Sequence, residues 1–196
     1  GTLTTQGTST VNLVNAPNGF LALTGGMTWV NKGQLTIGGD DQVLLGYLFG
    51  GTNTLVNDTG ATLTLASSHA SPILFWGGTT SLQNLGTLVQ SATGTHTLGL
   101  GTITNGGTVQ VTKGTLGITG DGTDTGLYTV STGAELAFVG GTRTLGNGSS
   151  VSGVGTLSVN GGTVNANAAL PLANSGALIA VSGGTLNLGA QVTGTL

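Results

Sequence analysis

A short motif, glycine followed by threonine and an aliphatic residue, recurs along the second half of the chain and constrains the fold more than any other feature. Copies begin at Gly86, Gly101, Gly107, Gly114, Gly155, Gly162, Gly184 and Gly194. The aliphatic positions also repeat, because Leu116, Leu136, Leu157 and Leu178 follow one another at nearly equal intervals. A period of about 20 to 22 residues over several copies is typical of a solenoid, in which each repeat stacks on the one before it.

The segments between the glycines alternate between apolar and polar residues. Thr62–Leu65 (TLTL), residues 109–111 (VQV) and residues 186–188 (LNL) are examples. Such alternation predicts short strands with one buried and one exposed side, whereas glycine and threonine are poor helix formers. At about 21 residues per coil the chain makes roughly nine coils. We therefore predict an all-β fold, a right-handed parallel β-helix (β-solenoid) with three short strands in each coil.

Stacking of these coils in register accounts for the composition. Inward Leu, Val and Ile form ladders along the axis, Thr alternates outward, and Gly and Asn occupy corners where the backbone turns tightly. Leu157 is expected to point inward and Ser158 outward. Only 5% of the residues are charged, against about a quarter in ordinary domains. A core that is shared between neighbouring coils explains how so weakly charged a chain can fold.

The repeat is most regular over residues 86–196 and less regular over residues 1–85. The intervals from Leu35 to Leu63 and from Leu63 to Leu88 both exceed the period of about 21 residues. The surplus coincides with two apolar, aromatic runs at residues 43–49 and 72–76, which we interpret as insertions or enlarged coils. We expect residues 1–196 to be a single β-solenoid segment that belongs to a longer chain.

Composition excludes several classes of function. Nucleic-acid binding needs a basic patch, and the chain has three Lys and Arg with a formal net charge of −3. Disulfide scaffolds and cysteine-zinc sites need cysteine, of which there is none. No apolar run approaches the length of about 18 residues that a membrane-spanning helix needs, so we predict no transmembrane segment and no nucleic-acid partner.

The acidic residues are few and dispersed, which argues against catalysis. A polysaccharide-acting β-helix needs clustered carboxylates. Coil stacking brings Asp58 near Asp40 or Asp41 if they share a corner, but we interpret these residues as solvated turn residues. His69 and His96 lack partners at metal-ligand spacing and are interpreted as surface or turn residues. We therefore predict no catalytic and no cofactor-binding residues.

Residues 120–126 (GDGTDTG) are the nearest approach to a calcium site. Asp121 and Asp124 are two carboxylates in a glycine-rich turn, which suits the oxygen ligands that calcium prefers. The full β-roll and EF-hand patterns are absent. A plain turn is therefore the preferred interpretation, with calcium bound by Asp121 and Asp124 as the alternative.

The aromatic residues are concentrated between Phe20 and Trp76. The preferred interpretation is that these rings fill the enlarged coils or cap an end. The alternative is that Trp29, Tyr47 and Trp76 are ligand contacts, because aromatic rings stack against the apolar faces of sugars. Ordered threonines on a flat face are a candidate for ice binding. However, the pairs Thr62/Thr64, Thr95/Thr97, Thr102/Thr104 and Thr123/Thr125 do not share one position in the repeat frame.

Residues 155–168 (GTLSVNGGTVNANA) and 181–189 (VSGGTLNLG) resemble the repeats of filamentous-haemagglutinin-like exoproteins and autotransporter passenger domains, which are secreted bacterial adhesins. The resemblance implies a right-handed parallel β-helix that is secreted or displayed on the bacterial cell surface. It also implies contact with a host surface, a neighbouring cell or a glycan, and self-association side by side or end to end.

We expect a structural and adhesive stalk or fibre segment of a secreted or cell-surface adhesin, without catalytic activity. Two alternatives remain open. The first is a glycan- or ice-binding β-solenoid, and the second is a polysaccharide-acting β-helix enzyme.

Overall fold

The computed structural model describes residues 1–13, 17–167 and 178–189. Within these residues the chain has no helix and folds into parallel sheets stacked as a β-solenoid of about eight turns. The predicted fold class is thereby confirmed, and the expected number of coils, roughly nine, is close to that observed. The motif copy that begins at Gly194 lies outside the described residues.

Twenty-two strands, most of them four residues long, make up the described part of the chain. They are β1 (Thr2–Thr5), β2 (Thr8–Val11), β3 (Phe20–Leu23), β4 (Thr28–Asn31), β5 (Gln34–Ile37), β6 (Gln42–Leu45), β7 (Thr52–Asn57), β8 (Thr62–Leu65), β9 (Ile73–Phe75), β10 (Thr79–Asn84), β11 (Thr87–Gln90), β12 (Thr95–Leu98), β13 (Thr102–Asn105), β14 (Thr108–Val111), β15 (Thr115–Ile118), β16 (Gly122–Asp124), β17 (Leu127–Val130), β18 (Glu135–Leu145), β19 (Ser150–Gly153), β20 (Thr156–Ala166), β21 (Leu178–Val181) and β22 (Thr185–Leu188).

Three successive strands form one coil, so the solenoid has three faces. The first face contains β1, β4, β7, β10, β13 and β16, then the second halves of β18 and β20, and β22. The second face runs from β2 through β5, β8, β11, β14 and β17 to β19. The third face contains β3, β6, β9, β12 and β15, then the first halves of β18 and β20, and β21. Strands pair in parallel with their equivalents in the adjacent coils, except that β9 is joined to the next coil only by the bridge Leu74–Gly99 and β13 only by the bridge Thr102–Asp121.

In-register pairing places like residues above one another in the core. On the second face, Leu35 pairs with Leu63, which pairs with Leu88, and the column continues through Val109. All four side chains are buried. Because each apolar side chain is covered by those of the neighbouring coils, stability accumulates along the axis instead of within one coil.

The coil length changes along the chain. Asn31 pairs with Asn57 at a separation of 26 residues and Asn57 with Asn84 at 27, whereas Asn84 and Asn105 are 21 apart. The extra residues of the early coils lie mainly in the turn after β6 and the turn before β9. The two apolar, aromatic runs of the sequence fall in this region, so the enlarged coils change the outer surface while the core ladders remain in register.

The four asparagines also form a ladder of side-chain amides inside the core. The Nδ2 atoms of Asn31, Asn57 and Asn84 each donate to the Oδ1 atom of the next asparagine at 2.8 Å. None of the four is more than 1% exposed. These asparagines end their strands at a corner, as expected, and Asn31 also bonds both backbone groups of Gly33 across the turn. The chain of amide hydrogen bonds, which the expectation did not include, satisfies their buried polar groups.

Leu157 and Ser158 test the predicted alternation of inward and outward residues. Leu157 lies in the core, as expected. Ser158 lies on the opposite side of β20 but is only 2% exposed, and its Oγ donates to Oε1 of Glu135 in the preceding coil. Ser158 therefore points away from the core, as expected, but the neighbouring Glu135 carboxylate covers it and shields it from solvent.

Candidate functional site

The most conspicuous surface feature is a group of aromatic side chains on the first three coils, of which all but the half-buried Tyr47 are exposed. We call it the aromatic patch; it consists of Phe20, Tyr47, Phe49, Phe75 and Trp76. Phe49 is 75% exposed, Trp76 57% and Phe75 44%. Exposed aromatic groups cost free energy in water, and a contiguous set of them marks a binding or assembly surface.

Three rings of the patch stack along the solenoid axis, one from each coil. The ring centroids of Phe20 and Tyr47 are 4.9 Å apart with the planes tilted by 59°. Those of Tyr47 and Trp76 are 5.4 Å apart at 63°, an edge-to-face contact. Such arrangements are favoured by the ring quadrupole. The predicted ligand contacts Tyr47 and Trp76 are therefore brought together, and Phe20 joins them.

The backbone at the corner between the third and first faces places the rings of Tyr47 and Trp76, whereas Phe20 is the first residue of β3. Gly46 N donates to Leu23 O at 2.6 Å and Trp76 N donates to Leu45 O at 2.9 Å, which stacks the three turns. Gly46 has a φ of +84°, and a Cβ there would lie 1.7 Å from the carbonyl oxygen of Gly77. Glycine is therefore required at position 46, directly before Tyr47, if the coils are to stack this closely.

The loop after Tyr47 projects from the solenoid. Thr24 Oγ1 donates to Tyr47 O at 2.5 Å and accepts from Phe49 N at 3.3 Å, which ties the loop to the preceding coil. Leu48 adopts a φ of +59°, a conformation that non-glycine residues rarely occupy. Leu48 is 71% exposed, so an apolar side chain is held outward in a strained turn beside the patch.

A groove of about 410 Å³ continues from the patch along the same corner. We call it the threonine groove: Phe75 forms one end, and Thr79, Thr102 and Thr119 from three successive coils line it. Its floor includes glycines whose small size leaves the backbone accessible. Among the described residues, none that forms the patch or lines the groove carries a charge.

Trp29, the third predicted ligand contact, does not belong to this surface. It lies in the core at 2% exposure, and its Nε1 donates to Thr5 Oγ1 at 3.0 Å. Because Trp29 alternates with outward residues of β4, its ring faces the interior. Trp29 therefore fills the core of the first coils, in line with the preferred interpretation of the aromatic residues, and the alternative of a ligand contact is wrong for Trp29.

The predicted calcium pair is separated by the fold. Asp121 is exposed and accepts a hydrogen bond from Thr142 N at 2.7 Å. Asp124 is fully buried, and both of its oxygens accept hydrogen bonds from Arg143, at 2.7 and 2.8 Å. Asn105 N and the Tyr128 hydroxyl complete its surroundings at 2.8 Å each. Asp124 is therefore neither a solvated turn residue nor a calcium ligand, because protein donors occupy its carboxylate.

Charge and burial within this group shift the pKa values of its members. Burial, together with the negative charge of Asp124, raises the pKa of the Tyr128 hydroxyl well above its usual value. Burial by itself lowers the pKa of the Arg143 guanidinium, but the hydrogen bonds and charge of Asp124 raise it more. Tyr128 therefore stays neutral and Arg143 stays charged, and the group acts as a buried ion pair with a hydroxyl donor.

Asp40, Asp41 and Asp58 do not share a corner. Asp58 follows β7 and lies 3.9 Å from Lys32 Nζ, whereas Asp40 and Asp41 precede β6 at the entrance to the third face. Asp41 is fully buried and accepts from Leu13 N. Stacking therefore separates these carboxylates, and the interpretation of Asp41 as a solvated turn residue is wrong.

His96 is a second buried polar residue that was expected at the surface. It is 2% exposed, with Nδ1 2.6 Å from Gln90 Oε1 and Nε2 2.7 Å from Ser67 O. Burial lowers the pKa of the imidazole, the carbonyl of Ser67 opposes this, and the charge of His69 lowers it further. His96 lines a groove of about 770 Å³ whose other residues are serine, threonine, alanine and glycine.

The register reveals a threonine row that the repeat frame of the sequence conceals. On the outer side of the first face, the aligned residues are Thr2, Thr28, Thr54, Ser81, Thr102, Asp121, Thr142, Thr163 and Thr185. All except Asp121 carry a hydroxyl. The sequence did not predict this single row, but a sustained pair of threonines two positions apart is absent from the described part of this face, as expected. The neighbouring row is interrupted by Val30, Val56 and Gln83.

Within residues 1–13, 17–167 and 178–189, no group of three or more His, Asp and Glu side chains is arranged to hold a metal ion. The same residues contain no helix that is long and apolar enough to cross a membrane.

Comparisons with protein-family models, with curated proteins and with solved structures gave no match. The resemblance to adhesin repeats therefore remains a prediction that depends on residues 155–168 and 181–189 alone.

Sequence reasoning missed the Asn ladder, the Asp124–Arg143 pair and the burial of His96. The ladder did leave a signal, since Asn31, Asn57, Asn84 and Asn105 each precede a nearby glycine and recur at the coil spacing. The ion pair left no comparable signal, because its two residues come from different coils and occupy non-equivalent positions.

Proposed function

We propose that this chain is a structural and adhesive β-solenoid of a secreted or cell-surface bacterial protein, and that the aromatic patch is its contact surface. The observation that carries the proposal is the stack of Phe20, Tyr47 and Trp76 on three successive coils of a continuous scaffold. A rigid array of exposed rings loses little conformational entropy on binding, which favours adhesion.

A non-catalytic role is supported by the surroundings of the carboxylates. Asp40 accepts from Asn18 N, Asp58 pairs with Lys32, and Glu135 accepts from Ser158. The partners of Asp41, Asp121 and Asp124 are also protein groups, as described above. Carboxylates engaged in this way serve turns and coil stacking, whereas acid–base catalysis needs a pair of them facing one substrate.

Bead adhesion tests the proposal. Beads coated with the full chain are applied to cultured epithelial cells and to bacterial biofilms, and retention is measured under flow. We expect retention of wild-type beads and at least a tenfold loss with Tyr47→Ala/Trp76→Ala. The matched control is Leu127→Ala, which removes a 47% exposed apolar side chain from the second face.

Equal retention of the patch variant and the Leu127→Ala control would show that the patch is not the contact surface. Release of reducing sugar from polysaccharides by the purified chain would instead support the enzymatic alternative.

A further inference from the structure

The stacked rings and the threonine groove lie on neighbouring coils along one corner of the solenoid. Tyr47 and Trp76 follow β6 and β9, and Thr119 follows β15, each at the turn from the third face to the first. Phe75, which lines the groove, directly precedes Trp76 in the chain. With about 4.8 Å between coils, a surface spanning five coils is roughly 20 Å long. Its occupant is therefore elongated and lies parallel to the axis.

The chemistry of this surface changes along its length. Stacked rings on coils one to three offer apolar faces, whereas the hydroxyls of Thr79, Thr102 and Thr119 and nearby backbone groups offer donors and acceptors. A pyranose ring has an apolar C–H face and a rim of hydroxyls, so it matches both parts. An apolar partner surface would leave the groove hydroxyls without hydrogen-bond partners, which is unfavourable.

Electrostatics narrow the ligand class further. In the part of the chain that the structure describes, no charged residue forms the patch or lines the groove. The acidic residue beside it is Asp121, which is exposed two positions after Thr119. The surface therefore offers no cation to neutralise a uronic acid or a sulfate, and Asp121 repels either at short range.

We propose that the aromatic patch and threonine groove bind a linear, neutral polysaccharide, with sugar rings stacked on Trp76 and Tyr47 and hydroxyls bonded in the groove. This inference rests on the proposed adhesive function, because it names the ligand class of the same surface. Trp76 is the main stacking residue, since it is the most exposed of the three stacked rings.

The experiment is affinity electrophoresis of the full chain through gels that contain neutral galactomannan, neutral β-glucan or anionic alginate. We expect retardation by at least one neutral polysaccharide and little by alginate. Trp76→Ala should weaken binding at least tenfold, whereas Trp76→Phe should retain most of it because a ring remains. Leu127→Ala serves as the surface control, and circular dichroism verifies that each variant is folded.

The bead assay separates failure of this inference from failure of the proposed function. Suppose that bead adhesion depends on the patch, but that neutral polysaccharides neither bind the chain in the gel nor compete with bead adhesion. That result would overturn the glycan assignment and leave the adhesive function standing. Equal retardation of wild type and Trp76→Ala by a neutral polysaccharide would overturn the site. Alginate binding as tight as that of the neutral polysaccharides would overturn the neutral ligand class.

Discussion

Arg143 donates from Nε and Nη2 to the two carboxylate oxygens of Asp124, at 2.8 and 2.7 Å, inside the core where neither side chain is more than 1% exposed. Asp124 pairs with Leu145 of the following coil. It occupies the position that follows Asn105 in the register of the asparagine ladder. The amide ladder therefore ends at a carboxylate, which an arginine from the following coil neutralises. Gly122 makes room for this arginine, since a Cβ there would lie 2.7 Å from Arg143 Nη2.

The ion pair leads to a prediction about stability. Asp124→Asn leaves the buried guanidinium without its counter-charge, so we expect a loss of about 3–5 kcal/mol in the free energy of unfolding. The double variant Asp124→Asn/Arg143→Leu should recover much of this, because the introduced amide extends the ladder and no charge stays buried. Urea unfolding measures both. A double variant as unstable as the single one would contradict this account.

A substitution in the middle of the asparagine ladder should cost more stability than one on the adjacent surface. Asn84 donates to Asn105 Oδ1 and to Thr108 O and accepts from Asn57 Nδ2. Asn84→Ala leaves these buried groups without partners, at a cost of about 1–3 kcal/mol for each. Gln83→Ala, on the exposed side of the same strand, is the matched control and should be nearly neutral. Similar melting temperatures for the two variants would refute the ladder's contribution.

Stability should decrease in mild acid because of His96. Burial lowers the pKa of His96 in the folded state, with the charge of His69 adding to it and the Ser67 carbonyl opposing it. The unfolded chain therefore binds more protons, and stability is present above the unfolded pKa of about 6.5 and is lost as pH falls below it.

Melting temperatures measured from pH 8 to pH 5 test the histidine assignment. We expect a fall in the wild type that is diminished in His96→Gln. His69→Gln is the control and should retain the fall. If the pH dependence followed His69 instead, the assignment to His96 would be wrong.

Substitutions on the two sides of β20 should differ in how strongly they destabilise the fold. Leu157→Asp places an unpaired charge in the core and should prevent stacking of the local coils, because a buried charge without a partner is very costly. Ser158→Ala removes a buried hydroxyl that donates to Glu135 and should cost about 1 kcal/mol. Circular dichroism and thermal melting distinguish the two. A silent Ser158→Ala would restore the simple prediction of a solvated outer residue.

Patch geometry should depend on Gly46. Gly46→Ala meets the carbonyl of Gly77 and also strains a positive φ, so we expect displaced rings, altered tryptophan fluorescence and at least a tenfold loss of bead adhesion. Gly60→Ala separates the two effects, because Gly60 has a φ of +79° with open space around its Cα. It should lose about 1 kcal/mol from strain alone and keep adhesion. Adhesion retained by Gly46→Ala would contradict the assigned role.

Sequence periodicity predicted the fold well because the repeat is local. Spacings such as Leu136 to Leu157 equal the register of the paired strands β18 and β20. It predicted the aromatic site in part: Tyr47 and Trp76 do meet, but Trp29 is buried. An aromatic residue in an enlarged coil can face either way, and only the alternation within β4, combined with the register to β1 and β7, places Trp29 inside.

The polar interior could not be predicted in the same way. Asp124, Asp41 and His96 belong to residue types that are rarely buried, so their sequence context indicated turns. Their burial depends on donors supplied from another coil or turn: Arg143 for Asp124, Leu13 for Asp41.

The amino-acid sequence by itself determined that this chain stacks short coils around an aliphatic core, since a glycine-punctuated alternation with a period of about 21 residues suits few other folds. Tertiary structure alone decided which residues of different coils stand side by side. Equivalent residues of adjacent coils are 26 or 27 positions apart in the enlarged early part of the chain and 21 positions apart later. The stack of Phe20, Tyr47 and Trp76 therefore exists only once the register is set by hydrogen bonds between coils.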